Sequence, residues 1–190
     1  MDTKQTPPIV SHPLNNRWLK ELISWMEIFV IALVGAWLLQ HYVIVNAEVP
    51  SGSMKNTINE SDRIIANRLA YSFGGEVERG DIIVFEFPDN EEILYVKRVI
   101  GLPGDIVFIK DGEVYINGTA LNEPYIREKT EGEFGPYTVP EDCYFCLGDN
   151  RNDSSDSRYW NNTYVSKDKI LGKVVLRYWR NFTWFEDPEY

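Results

Sequence analysis

Apolar and polar positions follow two regimes along the chain. Residues 28–47 contain no aspartate, glutamate, lysine or arginine. A helix of that length rises about 30 Å, the thickness of a bilayer core. Trp25, Trp37 and Tyr42 lie in or beside the run, and Trp and Tyr are favoured at membrane interfaces. After Glu48 the period shortens, and short apolar stretches alternate with turn residues. They cover 63–71, 81–87 (stopped by Pro88-Asp89-Asn90), 93–100 (stopped by 101–104), 106–110, 113–116, 142–147 and 173–179. Asp111-Gly112 between two such stretches is a strong hairpin signal, and Asn117-Gly118 marks another turn. Residues 125–137 and 148–166 are polar and read as loops. The pattern predicts a mainly β chain, with one N-terminal transmembrane helix followed by a folded β-sheet or barrel-like domain. Residues 1–20, with Pro7, Pro8 and Pro13, read as a polar tail, 21–47 as the anchor helix and 48–190 as the β-rich domain.

Three readings of the apolar run are open. A buried helix of a soluble protein would show a polar face, and none is present. A cleavable signal peptide fits Val45-Asn46-Ala47 as a small-residue cut site, but the run exceeds the usual apolar length of about 7–15 residues. A permanent anchor fits the length. Lys4, Arg17 and Lys20 precede the run, which predicts a cytoplasmic N-terminus and an extracytoplasmic domain at the cell membrane.

Charge narrows the partners. The chain of 190 residues has a net charge of −10, and from Glu48 onward it carries sixteen basic and twenty-six acidic residues. Such a surface repels phosphate backbones, so no nucleic-acid partner is expected. Cys143 and Cys146 fall in a stretch that reads as a strand, where three residues span roughly 10 Å and the side chains face opposite ways. That is too far for a disulfide, and the expectation is two inert core thiols. A zinc pair would need two further ligands, and the histidines are His12 and His41 alone. No cofactor or metal is expected. The aromatic cluster Tyr178, Trp179, Phe182, Trp184 and Phe185 reads either as core or as a surface resting on a membrane interface.

The candidate chemistry centres on Pro50-Ser51-Gly52-Ser53-Met54, just beyond the apolar run. Alone it reads as a polar turn. A serine nucleophile needs a base, and with this topology His12 lies on the cytoplasmic side and His41 in or at the membrane. Lysine is then the alternative. Lys97 lies in an apolar stretch and shares a strand face with Tyr95 and Val99. Burial lowers a lysine pKa and frees the amine to accept a proton, although a lysine reaching solvent from a strand edge is equally open on these residues. The loop from Gly148 to Trp160 is dense in Asp, Asn, Ser and Arg. A calcium loop wants oxygen at alternate positions, and Arg151 at the third position argues against it; the alternating charges read as braces within the loop.

These stretches, taken in order, resemble the ordered boxes of the type I signal peptidases, the Ser/Lys proteases that remove signal peptides. The likeness is carried by Pro50-Ser51-Gly52-Ser53-Met54, Asp62-Arg63, the 80–85 stretch from Gly80-Asp81, the 95–105 stretch around Lys97-Arg98, and Gly148-Asp149-Asn150-Arg151 with Ser154, Asp156, Ser157 and Arg158. The single anchor is similar to the small Gram-positive form. The resemblance implies that Ser53 is the nucleophile and Lys97 the general base, working through an acyl-enzyme. It implies that Ser51 shares the oxyanion hole with the Ser53 N–H, and that Ser154 positions the lysine amine. Asp156 and Arg158 match supporting charges, and Arg98 with Asp149 is expected to form a second brace. The implied substrates are secretory preproteins cut after small residues of the Ala-x-Ala type, at the lipid bilayer and close to the secretion translocon.

The sequence departs from the family pattern in three places. Asn56 stands where proline is common, Asn152-Asp153 reverses the usual Asp-Asn order, and Asn161 replaces a common glycine. Two other functions compete. A repressor-type Ser/Lys autoprotease lacks a membrane span, and a membrane-anchored β domain that only binds would not depend on Ser53 or Lys97.

Overall fold

A computed structural model describes residues 17–186. The predicted tail of residues 1–20 lies outside them up to residue 16. The chain divides into two compact units, up to Leu38 and from Leu39 onward. Helix α1 (Arg17–Tyr42) has 26 residues and no buried side chain, and it is long and apolar enough to cross a membrane. Arg17 and Glu21 form an i,i+4 ion pair at 3.1 Å in its first turn.

The helix begins and ends earlier than the 21–47 reading. Residues 44–47 belong instead to strand β1 (Ile44–Glu48). An apolar run does not by itself distinguish a helix from a strand. Here β-branched Val43, Ile44 and Val45 favour the strand, and Val45 packs into the core.

The remaining strands are β2 (Arg63–Asn67), β3 (Ile82–Phe87), β4 (Asn90–Gly101), β5 (Ile106–Lys110), β6 (Glu113–Ile116), β7 (Thr119–Ala120), β8 (Phe134–Thr138), β9 (Cys143–Leu147), β10 (Val165–Ser166), β11 (Ile170–Arg177) and β12 (Thr183–Trp184). They form two antiparallel sheets. The larger runs β1-β2-β11-β3-β4-β9-β10 with β12 on β11, and the smaller runs β7-β6-β5-β8. The mainly β expectation holds, with more and shorter strands than the sequence pattern predicts. Strand β8 falls on the end of the 125–137 stretch read as a loop, and β10 at the end of the 148–166 stretch.

The two turn signals are also borne out. Asp111 and Gly112 have φ of 53° and 82°, and Asn117 and Gly118 have φ of 53° and 85°, the left-handed pair that a tight two-residue hairpin turn requires.

Alternation along β3 and β4 builds two cores on opposite faces of one sheet. Ile82, Val84 and Val96 join Met54, Ile58 and Ile64 on one face. Ile83, Phe85, Val99 and Tyr95 join Trp160 and Cys146 on the other. A third cluster lies between the small sheet and the strands carrying Ile100, Phe145 and Leu147. The cysteines are free, Cys146 buried and Cys143 half-buried. Burial raises the Cys146 thiol pKa, which disfavours the reactive thiolate. The C-terminal aromatics are largely not core. Phe182 is 78% and Trp184 70% exposed, whereas Phe185 packs on the first cluster.

Candidate active site

The segment around Ser53 is fixed from beneath. Met54 and Ile58 are fully buried. The backbone turns immediately after Ser53, where Lys55 N–H donates to Gly52 O at 3.0 Å and Ile58 N–H to Met54 O at 2.8 Å. Asn56 has φ of 91°, which the proline ring cannot adopt. Asparagine tolerates such backbone better than most residues, so the departure from the common proline matches the local conformation. Ser53 is left almost buried, at 7% exposure.

Strand β4 delivers Lys97 to it. Lys97 pairs with Ile83 across the sheet and lies over the Tyr95 ring at 5.1 Å, on the face expected from the sequence. It is 3% exposed, and its Nζ donates to Ser53 Oγ at 2.6 Å. Burial lowers the lysine pKa from the usual 10.5 to about 8, against the opposing influence of Asp156, Cys146 and Asp149. Ser51 Oγ lies 3.4 Å from Ser53 Oγ.

The 148–158 loop closes over this pair. Asn150 N–H donates to Ser53 O, and Asn150 Nδ2 to Gly52 O, both at 3.0 Å. Gly148 is needed for close approach, because a Cβ there would lie 2.2 Å from Ser154 Oγ and 2.5 Å from Ser53 O. Ser154 Oγ is buried and makes no hydrogen bond among the described residues. It stands beside the Ser53 backbone rather than bonded to the Lys97 amine.

The charged residues do brace the loop, and two of the three pairs reach outside it. Asp156 accepts from Arg158 Nε and NH2, each at 2.8 Å, and from Gly148 N–H at 3.1 Å. Asp149 takes Arg98 bidentately at 2.8 and 2.7 Å and also accepts from Thr57 Oγ1 at 2.5 Å. Arg98 lies 3.9 Å from the Tyr125 ring. Arg151 is paired with Glu123, both nearly inaccessible, and its Nε donates to Gly148 O at 3.1 Å.

Sequence reasoning missed Glu123, Thr57 and Tyr125. Glu123 and Tyr125 lie in an irregular segment with no periodicity, and Thr57 carries no signal beyond its closeness to Ser53.

Ser53 and Lys97 open onto a cleft of about 430 Å³ lined by residues 47–53, the 93–97 stretch of β4, Val84, Asp153 and Ser155. Its wall is largely apolar, with an amine of lowered pKa against a hydroxyl at its base. That arrangement can generate an alkoxide next to a bound peptide.

Comparisons with known proteins give the family. A family model described as "Signal peptidase, peptidase S26" matches residues 22–179. A probable signal peptidase I-2 of Synechocystis sp. is 40% identical over 181 residues, covering 93% of this chain and 77% of the relative. A signal peptidase I of Leptolyngbya laminosa is 38% identical, covering 93% and 89%. A signal peptidase I S of Bacillus subtilis is 39% identical over 150 residues, covering 73% and 79%. With a hydroxyl and a buried amine in contact at the foot of an apolar cleft, and a match running through most of its length, the chain belongs to the S26 family of signal peptidases, the serine hydrolases that remove signal peptides.

Proposed function

We propose that the chain is a membrane-anchored serine endopeptidase that cleaves secretory preproteins after small residues, with Ser53 as nucleophile and Lys97 as general base. The observation that carries this reading is the 2.6 Å contact between Lys97 Nζ and Ser53 Oγ inside a wall that leaves the lysine 3% exposed. A desolvated amine with pKa about 8 is about one-tenth neutral at pH 7, a far larger share than an ordinary lysine near 10.5 keeps, and that fraction accepts a proton.

Lys97 takes the Ser53 hydroxyl proton as Oγ attacks the scissile carbonyl. The oxyanion is held by the Ser51 hydroxyl and the Ser53 N–H. One such donor elsewhere contributes about 2.7–4 kcal/mol. The ammonium of Lys97 then protonates the leaving amine, and the C–N bond breaks to leave an ester on Ser53. In the second half, Lys97 deprotonates water. The hydroxide attacks the ester, and Ser53 leaves with the proton returned. Ser154 steadies the amine through this cycle, while Asp156 with Arg158 and Asp149 with Arg98 hold the loop around it.

The basic residues Lys4, Arg17 and Lys20 ahead of the apolar run support a cytoplasmic N-terminus and an extracytoplasmic domain at the cell membrane. Ala47 and Ser53 line one cleft, which supports cutting near the membrane surface as a substrate leaves the translocon. The test uses full-length chain in detergent with a preprotein carrying an Ala-x-Ala site. Ser53→Ala and Lys97→Ala should each abolish processing while the far-UV and near-UV circular dichroism stay unchanged. Processing by either variant at the parent rate overturns the Ser/Lys assignment. Protease protection in sealed vesicles tests the orientation.

A further inference from the structure

The loop that braces the dyad also places an exposed aspartate, Asp153, on the wall of the cleft. Three charged residues line that cleft: Glu48, Lys97 and Asp153. Glu48 is paired with Arg63 at 3.5 Å, and Lys97 is held on Ser53. The Asp153 side chain is exposed and makes no hydrogen bond or ion pair among the described residues. Its backbone is nevertheless fixed. Asp153 N–H donates to Asn150 O at 3.1 Å, and Asn150 is the residue that grips the carbonyls of Gly52 and Ser53.

The neighbouring residue accounts for a carboxylate at 153 rather than 152. Asn152 Oδ1 accepts from Glu131 N–H at 2.9 Å, and its Nδ2 donates to Lys129 O at 3.1 Å. A carboxylate at 152 has no proton for the second bond. The amide therefore ties down the 129–131 segment, and the charge that the family pattern places at 152 stands in the cleft at 153.

We propose that Asp153 is a specificity-determining residue that favours substrates with a lysine or arginine beside the scissile bond, at the second position before the cut or the first after it. This rests on the functional reading above. The first and third positions before the cut take small residues, so a long cationic stem comes from the positions between or just beyond them. The acidic domain as a whole attracts any cationic segment without regard to position, whereas a single unpaired carboxylate one turn from the residue that grips Ser53 acts on one position. Exposed charge pairs are weak and screened, so the preference is several-fold rather than absolute.

The experiment compares preproteins carrying Lys, Gln or Glu at each of the two positions, cleaved by full-length chain in detergent. At low ionic strength the parent enzyme should favour Lys over Glu by about 5–10-fold in kcat/KM at one position, and the ratio should collapse near 1 M salt, where the screening length is about 3 Å. Asp153→Asn should bring the ratio below about 2, and Asp153→Lys should invert it. The ratio is taken within each enzyme, so a change in absolute rate does not enter. Equal cleavage of Lys and Glu substrates by the parent, or an unchanged ratio in Asp153→Asn, overturns this inference and leaves the functional reading standing. Failure of the parent to cut the Gln substrates overturns the functional reading, and this inference with it.

Discussion

Lys97 Nζ and Ser53 Oγ are 2.6 Å apart, and the lysine reaches that contact from the middle of a paired strand. Its neighbours across the sheet and above it are apolar or aromatic. The same packing that places the amine also makes its charge unfavourable, so position and basicity have one cause.

The pH dependence of the rate follows from this. Only neutral Lys97 accepts the Ser53 proton, so kcat/KM should rise about tenfold per pH unit below the lysine pKa and level off above it. With that pKa at about 8, the bend falls near pH 8. A profile without a limb between about pH 6 and 8 would remove Lys97 as the base.

Stability should carry the same signature. In the window from about 8 to 10.5 the unfolded lysine is protonated and the folded one is neutral. The unfolded state then binds more protons, so stability from this group rises with pH across the window and is constant below it. The full span corresponds to roughly 3 kcal/mol. In Lys97→Met the contribution is absent. The difference between parent and variant in urea unfolding should therefore change by up to that amount between pH about 8 and 10.5, in favour of the parent at high pH.

Ser154 separates a positioning role from a structural one. Its hydroxyl is buried without a partner among the described residues, so Ser154→Ala should leave stability unchanged or raise it slightly, by up to about 1 kcal/mol. If the hydroxyl steadies the amine during the reaction, kcat should fall about 10–100-fold, as expected for small misplacements of a reacting group. Unchanged kcat would assign Ser154 to packing alone.

Gly148→Ala should be costly for activity. The added methyl meets Ser53 O at 2.5 Å, a backbone atom that cannot swing aside, so the nucleophile must shift. Loss of at least about 100-fold in kcat/KM is expected, with the preprotein assay as the measurement.

Asp149→Ala should unfold more readily than any of these. It leaves Arg98, 4% exposed, without its bidentate partner and Thr57 without its acceptor. Removing one partner of a buried ion pair costs about 3–5 kcal/mol. Urea denaturation should show that loss, and replacing both members with apolar residues should recover part of it.

These sites differ in how far the sequence revealed them. The hairpins at Asp111-Gly112 and Asn117-Gly118 were legible because left-handed backbone restricts which residues fit. Ser53 and Lys97 were legible as a pair only through the resemblance, since a polar turn and a strand lysine have no local mark of contact across 44 residues. Glu123 was not legible at all. Its pairing with Arg151 spans 28 residues from a segment without periodicity, and only folding brings them together. The end of the helix is not legible in the sequence, because Val43 to Val45 are as apolar as the span they follow.

That last segment has a further meaning. Val45-Asn46-Ala47 has the composition of a site that such enzymes cut, directly after a membrane-length helix. In the folded chain Ala47 is paired with Ile64 and Asn46 with Ile65, and Val45 is sealed in the core. A peptidase requires its substrate as a free extended chain, so the bond after Ala47 becomes accessible only when the first strand peels from its neighbour. Folding thus keeps this leader-like stretch paired, and a peptidase meets it as a free chain only when that strand opens.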